Sequence, residues 1–519
     1  MEINISNVVT FFITIVIMGW LWRIINWLWL RPKRLEHYLR KQGFQGNPYK
    51  FFHGNTKDIS SMIKENNSKS IECLSNDYIH RITPFQCKTI QKYGENPFMW
   101  EGSNPTIVVT KAELIRKIFN RVFDFQKTTP NHYIEEVTKG LARLEGHKWA
   151  QERKLINPVF HLEKLKHLVP EFYSSFKDMI QEWEKKTSIT GSQEIEMWSD
   201  LQKVTADAIS RTAFGSTFQE GRRVFELLQE YIVIIARSLH SVYIPGSRYL
   251  PTKTNKRAKN IIKEMETILE DLILKRQKSM SAGEKVKDDL LGHLLTSSIE
   301  GIQGNGKQLN IKLSLKQVIE ECKVFYIAGQ ETTSALLAWT LILLSKHKNW
   351  QEQAREEILS TFGNNTPDYD GLNRLKKVHM VLQEVLRLYP AAPILNRKVS
   401  HDIIIDGKVL PAGVQLQAQI LLVQQDERFW GSDAKEFNPG RFSEGILKAA
   451  GGNICFFSFG WGPRVCIGSN FAFVEAKLGL SMILQRFRLD LSPSYAHAPT
   501  TSHGTLRPEF GVNLVLHRL

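Results

Sequence analysis

The chain has 519 residues, 42% of them hydrophobic and 23% charged, with a formal net charge of +15. That length allows a large buried core, and five cysteines without zinc or disulfide spacing exclude a disulfide framework and fit a reducing compartment. The basic residues are scattered and no nucleic-acid-binding motif accompanies them. This argues against nucleic acid and leaves a solvated basic surface, an anionic membrane face or an acidic protein partner. At ~150 residues per domain, roughly two to four domains are expected. No Pro/Gly/Ser-rich linker, internal repeat or long low-complexity tract divides the chain, so one large domain behind an N-terminal anchor is the simpler organisation.

Val8 to Trp22 is nearly all apolar, and Ile24 to Leu30 extends it past Arg23. The combined length is near the ~20 residues that a spanning helix needs. Trp20, Trp22, Trp27 and Trp29 suit the interfacial belt. Arg31, Lys33, Arg34, Arg40 and Lys41 follow the segment, whereas only Glu2 is charged before it. That asymmetry puts the rest of the chain on the cytoplasmic side. A cleaved signal peptide needs positive charge ahead of the apolar run and small residues after it, and neither is present. Residues 1–30 are therefore expected as a single-pass anchor, 31–50 as a basic, Pro-containing linker, and 51–519 as one domain.

Within that domain NPFMWEG and NPTIVVT (Asn96 to Thr110) suggest two paired strands. Trp149 and Arg153, in GHKWAQERK, are spaced i, i+4 on a predicted helix. A longer helical pattern runs from about Ser314 to Lys346 and holds AGQETT, Ala328 to Thr333. Gly329 costs about 1 kcal/mol there relative to Ala, and burying Glu331 and Thr332 is unfavourable without partners. A polar notch of this kind fits a groove for dioxygen, opened by small residues, with Glu331 and Thr332 relaying protons. The apolar run Ser334 to Ser345 is too short for a second span and reads as a buried helix.

In VLQEVLRLYP, Glu384 and Arg387 share a helix face at i, i+3, and the helix should end at Tyr389, before Pro390. The apolar residues around them suggest a buried pair, which needs further hydrogen bonds; Arg441, in EFNPGRF, is a candidate third member. HDIIIDGKVLPAGVQLQAQI reads as a hairpin turning at Asp406-Gly407. FGWGPRVCIG (Phe459 to Gly468) then sets Cys466 in a Gly-rich turn before a helical apolar run. A helix start favours a thiolate, and a thiolate can be the axial ligand of a haem iron. Trp149 and Arg153, with Arg397 and Arg464, could pair with haem propionates.

The order AGQETT, EVLR, FNPGRF, FGWGPRVCIG resembles the cytochrome P-450 superfamily of haem-thiolate monooxygenases. VFHLEKLK, TADAISRTAFGS, VIEECKVFYIAGQETT, AREEIL and LSPSYAHAPTT are similar to the plant 72 clan, and more closely to its 72A family. The resemblance implies a mainly α fold, a helical triangular prism with small β-sheets, behind the transmembrane helix. It implies haem b on Cys466, with Phe459 packed against that ligand and Gly462 and Gly468 letting the loop approach the haem. Trp149, Arg153, Arg397 and Arg464 would hold propionates, Glu331 and Thr332 would serve dioxygen activation, and Glu384, Arg387 and Arg441 would form a structural triad. NADPH electrons would arrive through a separate membrane-bound reductase with an acidic docking face. The expected location is the endoplasmic-reticulum membrane, with lipid around the anchor. The expected substrate is a small apolar plant metabolite, a triterpenoid first, then an iridoid, steroid or gibberellin.

Gln424 and Gln425 stand where the clan commonly has paired histidines, and Gly440 replaces a frequent Glu. Two rival readings remain: a haem-binding protein without turnover, and a thiol redox enzyme using Cys466 with Cys455 as a poor resolving partner. Pocket-lining residues are expected before Trp149, around Tyr231 to Tyr249, near Ala328, and from Ala391 to Leu395.

Overall fold

The N-terminal helix α1 (Ile5–Ile25) leaves its large apolar side chains exposed, Phe11, Phe12, Met18, Trp20 and Trp22 among them. The computed structural model describes all residues except 1–4, 72–73, 129–130, 217, 240–245, 283–288, 301, 305–306 and 310–312. A π turn (Asn26–Leu30) carries α1 without a break into α2 (Arg31–Lys41), so the stretch expected as a linker is helical as far as Lys41. Pro32 cannot donate to the carbonyl of Leu28 four residues back, and Tyr49 Oη donates to that carbonyl instead, at 2.6 Å. Leu35 and Leu39, one turn apart, pack on the domain, and Leu39 is fully buried. Glu36 is buried beside them and accepts from Lys33 Nζ (2.9 Å), Arg40 Nη2 (3.1 Å) and Tyr49 N (3.4 Å). Apolar spacing and this ion pairing outweigh the basic charge that suggested an open linker.

The domain is mainly helical. The helices that position the site are α3 (Gly146–Ile156), α4 (Val169–Thr187), α5 (Trp198–Phe214), α6 (Phe218–Leu239), α7 (Leu315–Lys346), α8 (Lys376–Leu388) and α9 (Ser469–Arg486). α7 begins in a capping box: the Ser314 hydroxyl accepts from Gln317 N while the Gln317 side chain answers Ser314 N. It crosses the larger of the hydrophobic clusters, and the run Ser334 to Ser345 is buried as expected. α5 lies against α7 so closely that a Cβ on Gly329 would come within 2.8 Å of the Ile209 side chain. Gly329 is therefore a helix-packing glycine and does not open a groove. α8 ends at Leu388, ahead of Tyr389 and Pro390.

The strands that frame the site are β1 (Phe98–Glu101), β2 (Asn104–Val109), β3 (Phe125–Gln126), β4 (Ser192–Glu196), β5 (Ile394–Val399), β6 (Ile403–Ile405), β7 (Lys408–Leu410), β8 (Gln415–Gln419), β9 (Phe487–Leu491) and β10 (Asn513–Arg518). One sheet has the order β1-β2-β8-β5-β3, with β8 parallel to β2 and the other pairs antiparallel. A three-stranded sheet has the order β9-β10-β4. β6 and β7 form the expected hairpin. Asp406 (φ 49°) and Gly407 (φ 73°) both take positive φ, as a two-residue turn between twisted strands requires. The first sheet, with α2 and Phe457 of the cysteine loop, forms a second hydrophobic cluster.

Candidate functional site

Two openings interrupt the core. On α7, Ala328 and Thr332 are exposed one turn apart, although the helix is buried for most of its length. Cys466 is also exposed, two residues before Gly468, and α9 starts there and packs along α7. Cys466 N donates to Phe459 O at 2.8 Å, which closes the turn, and the Phe459 ring lies 5.5 Å from Phe473. Gly462 takes φ 71°, and a Cβ there would strike Phe119 O at 2.7 Å, so the loop needs glycine. A Cβ on Gly468 would meet no protein atom. Although Cys466 is accessible, protein packed closely around it pushes its thiol up, while the Gly468 N–H and the nearby charges of Arg153 and Lys127 pull it down.

A ring of cations surrounds this opening. Trp149, on α3, is buried, and the Arg464 guanidinium stacks on its ring at 4.4 Å. Arg464 Nη2 donates to Leu144 O (2.6 Å) and to the Glu145 carboxylate, while its Nε and Nη1 are buried without a protein partner. β5 pairs with β8 so that Arg397 stands opposite Leu416. Its guanidinium packs on the Phe119 ring at 4.7 Å and donates to Asn396 O at 2.9 Å, and its Nε is buried and unpartnered. Burial and Arg464 together lower Arg397 to about 10. Burial lowers Arg153 too, partly offset by Cys466.

Sequence reasoning did not find Lys127 or Arg143, which belong to this ring. Lys127 is lowered to about 7, first by burial, then by Arg397 and Arg464; Glu145 opposes the shift and Arg143 adds to it. Among the described residues two carboxylates act on these five cations: Glu145 on several of them and Glu135 on Arg143. Such an excess of buried positive charge and unpartnered N–H groups fits a ligand with two carboxylates. Lys127 directly follows β3, and no spacing in the sequence ties that point to Cys466.

The second cluster is complete within the protein. Arg387 pairs with Glu384 through Nε (2.7 Å) and Nη2 (2.9 Å), and both residues are fully buried. The remaining Arg387 N–H groups reach Gln424 O (2.8 Å), Ala434 O and Glu436 O (3.2 Å). Arg441 Nε meets Glu384 Oε1 at 3.1 Å, and its other nitrogens bond Asp433 and Trp430 O. Gln424, a departure from the clan's wording, donates to Leu386 O and Arg387 O and accepts from Phe457 N (2.7 Å) and Ser458 Oγ (3.0 Å). It therefore ties α8 to the loop that carries Cys466. Gln425 donates to Asn76 O and Leu388 O. Nothing in the structure explains the exchange at Gly440.

Thr332 Oγ1 donates to Ala328 O at 2.7 Å. The partners that Glu331 requires are Gln202 of α5, Gln229 of α6 and Thr505. Cys455 is fully buried, and burial pushes its thiol up to about 12, which leaves it protonated and shielded from exchange. Of the expected pocket segment Tyr231 to Tyr249, residues 240–245 lie outside the described residues.

The Cytochrome P450 family model matches residues 78–513. Cytochrome P450 72A397 of Kalopanax septemlobus is 49% identical over 96% of this chain and 96% of its own length. Echinocystic acid 23-monooxygenase of Saponaria officinalis is 48% identical over 97% of each chain. 11-oxo-beta-amyrin 30-oxidase of Glycyrrhiza uralensis is 47% identical over 96% of each.

Proposed function

The chain belongs to the cytochrome P450 family of haem b monooxygenases, which draw electrons from NADPH through a reductase, and we propose that it oxidises a triterpenoid, with iridoids, steroids and gibberellins as the next classes. Bound haem supplies the iron at which dioxygen is reduced, so that one oxygen atom enters a C–H bond and the other leaves as water. Cys466 would supply the thiolate that holds the haem iron, on a loop set by the Phe459–Cys466 backbone bond and the Gly462 turn. Arg397, Arg464, Arg153 and Trp149 are assigned to the propionates, joined by Lys127. The observation that carries these roles is the set of unpartnered buried N–H groups on Arg397 and Arg464 around an exposed thiol.

Thr332 lies on the exposed face of α7, where its hydroxyl would serve the dioxygen site, and Glu331 would supply protons to it. Glu384, Arg387 and Arg441 are assigned a structural role, fixing the approach to the cysteine loop through Gln424. The triterpenoid assignment is supported by two relatives named for that chemistry. α1 is assigned to the endoplasmic-reticulum membrane with the domain on the cytoplasmic side, on the charge asymmetry around the apolar run.

Reduced protein treated with carbon monoxide should give a thiolate-type Soret band that Cys466→Ser abolishes; a folded wild-type sample without that band would overturn the ligand assignment. Coexpression with a plant reductase and a terpenoid panel, read by mass spectrometry, tests the substrate. Turnover of an iridoid, steroid or gibberellin but no triterpenoid would overturn that assignment.

A further inference from the structure

Glu331 lies about 100° round α7 from Thr332. It is 3% exposed, yet its carboxylate gathers donors from three separate parts of the chain. Oε1 accepts from Gln202 Nε2 at 3.2 Å and from Gln229 Nε2 at 3.1 Å. Oε2 accepts from Thr505 Oγ1 at 3.3 Å. Arg507, stacked on the Trp198 ring at 5.4 Å, is close enough for the charge of Glu331 to raise its basicity against the effect of burial. The three donor residues are each partly exposed, whereas Glu331 is buried. The carboxylate is thus the inner end of a polar seam where α5, α6 and the C-terminal loop meet α7.

We propose that Gln202, Gln229 and Thr505 are positioning residues that set Glu331 as the inlet through which protons reach the dioxygen site. This rests on the proton role given to Glu331 above. In the step, a hydronium ion in the seam protonates the Glu331 carboxylate and leaves water behind. The resulting carboxylic acid turns about its side-chain torsions toward Thr332 and passes the proton to that hydroxyl or to water bonded to it. The carboxylate then returns to its three donors, and the proton leaves in the water made from dioxygen. No electron moves through these residues. The hydrogen bonds that hold the carboxylate come from neutral amide and hydroxyl donors, weaker than charge-assisted ones, and Arg507 acts on it through its charge.

The test uses the full-length enzyme with its reductase and NADPH, and dioxygen itself as the probe. Gln202→Met, Gln229→Met and Thr505→Val remove each donor at similar volume; Thr505→Ser restores the hydroxyl, and Glu331→Gln is the reference. The thiolate-type carbon monoxide band should be retained throughout. The share of consumed dioxygen reduced to water should fall about three- to tenfold in the three variants, with hydrogen peroxide making up the difference, and the solvent deuterium isotope effect on water formation should rise. Thr505→Ser should recover both. A readout without turnover accompanies these: the carboxylate stretching band that is lost in resting Glu331→Gln should shift in the three variants and return in Thr505→Ser. Wild-type partition and band position in Gln202→Met and Gln229→Met, with Glu331→Gln impaired, would overturn the positioning role alone. A wild-type Glu331→Gln would overturn the underlying proton role. Loss of the carbon monoxide band at one position leaves the other two, and the Val/Ser pair at Thr505, to decide.

Discussion

Two arginine clusters lie within one domain and are finished differently. Around Arg387 the hydrogen-bonding capacity of the guanidinium is met by protein: a carboxylate and three backbone carbonyls, with Arg441 completing the other side of Glu384. Around Arg464 and Arg397, buried N–H groups have no protein partner and the neighbouring charges are mostly positive. The first arrangement is stable by itself; the second stores an unfavourable field that an anionic ligand relieves. Completeness of hydrogen bonding, more than burial or residue type, separates scaffold from site here.

The contrast can be broken at several points. The largest effect is expected for Glu384→Ala, which leaves the buried Arg387 without its carboxylate while Arg441 keeps Asp433; a loss of about 3–5 kcal/mol should leave little folded haem protein, measurable as the carbon monoxide band per total protein. Gln424→Leu takes the Gln424 partner from Phe457 N and Arg387 O, while Leu386 O keeps Ser458 Oγ, and should cost about 2–3 kcal/mol in urea unfolding. Arg464→Leu should behave oppositely to these: haem affinity falls about ten- to a hundredfold, from the loss of a charged hydrogen bond, while the haem-free protein is no less stable than wild type. A destabilised haem-free variant would remove the distinction between the clusters.

The smallest effects are on pH dependence. His497, between Tyr389 and Tyr495, is held neutral by burial, with its pKa lowered to about 4. The unfolded chain therefore binds a proton before the fold does, and stability falls as pH drops from about 6.5 toward 4; His497→Gln should flatten that slope. Lys127 is lowered to about 7, so between pH 7 and about 10.5 the unfolded chain holds a proton that the fold lacks. Haem-free protein should gain stability as pH rises through that window, and Lys127→Met or bound haem should suppress the gain. Urea midpoints across pH measure both.

What could be read from the sequence was local. The i, i+3 spacing of Glu384 and Arg387 gave their shared face, and Pro390 gave the helix end, because both depend on neighbours in the chain. The Gly-rich turn placed Cys466 for the same reason. Lys127 and Glu145 were not legible, because their meaning comes from β5 and the cysteine loop being folded against them. Gly329 was misread because the absence of a side chain implies space only until the partner helix is known, and Ile209 fills it. The Arg31–Lys41 helix was not legible from Pro32 and five basic residues, because what holds it is the packing of Leu39 and the ion-paired Glu36 against the domain.

That helix has a mechanical consequence. From Val9 to Lys41 the backbone is one continuous rod, with its apolar part outside the domain and its last turns locked against it by Leu39, Glu36 and Tyr49. A rod joined this way works as a lever rather than a tether. With the apolar part in a bilayer, as proposed above, the tilt that matches it to the bilayer's thickness would be passed on to the domain. Bilayer thickness then becomes an input to the orientation of the whole domain, and a pair of glycines inserted between Leu30 and Arg31 should disconnect the two without altering either.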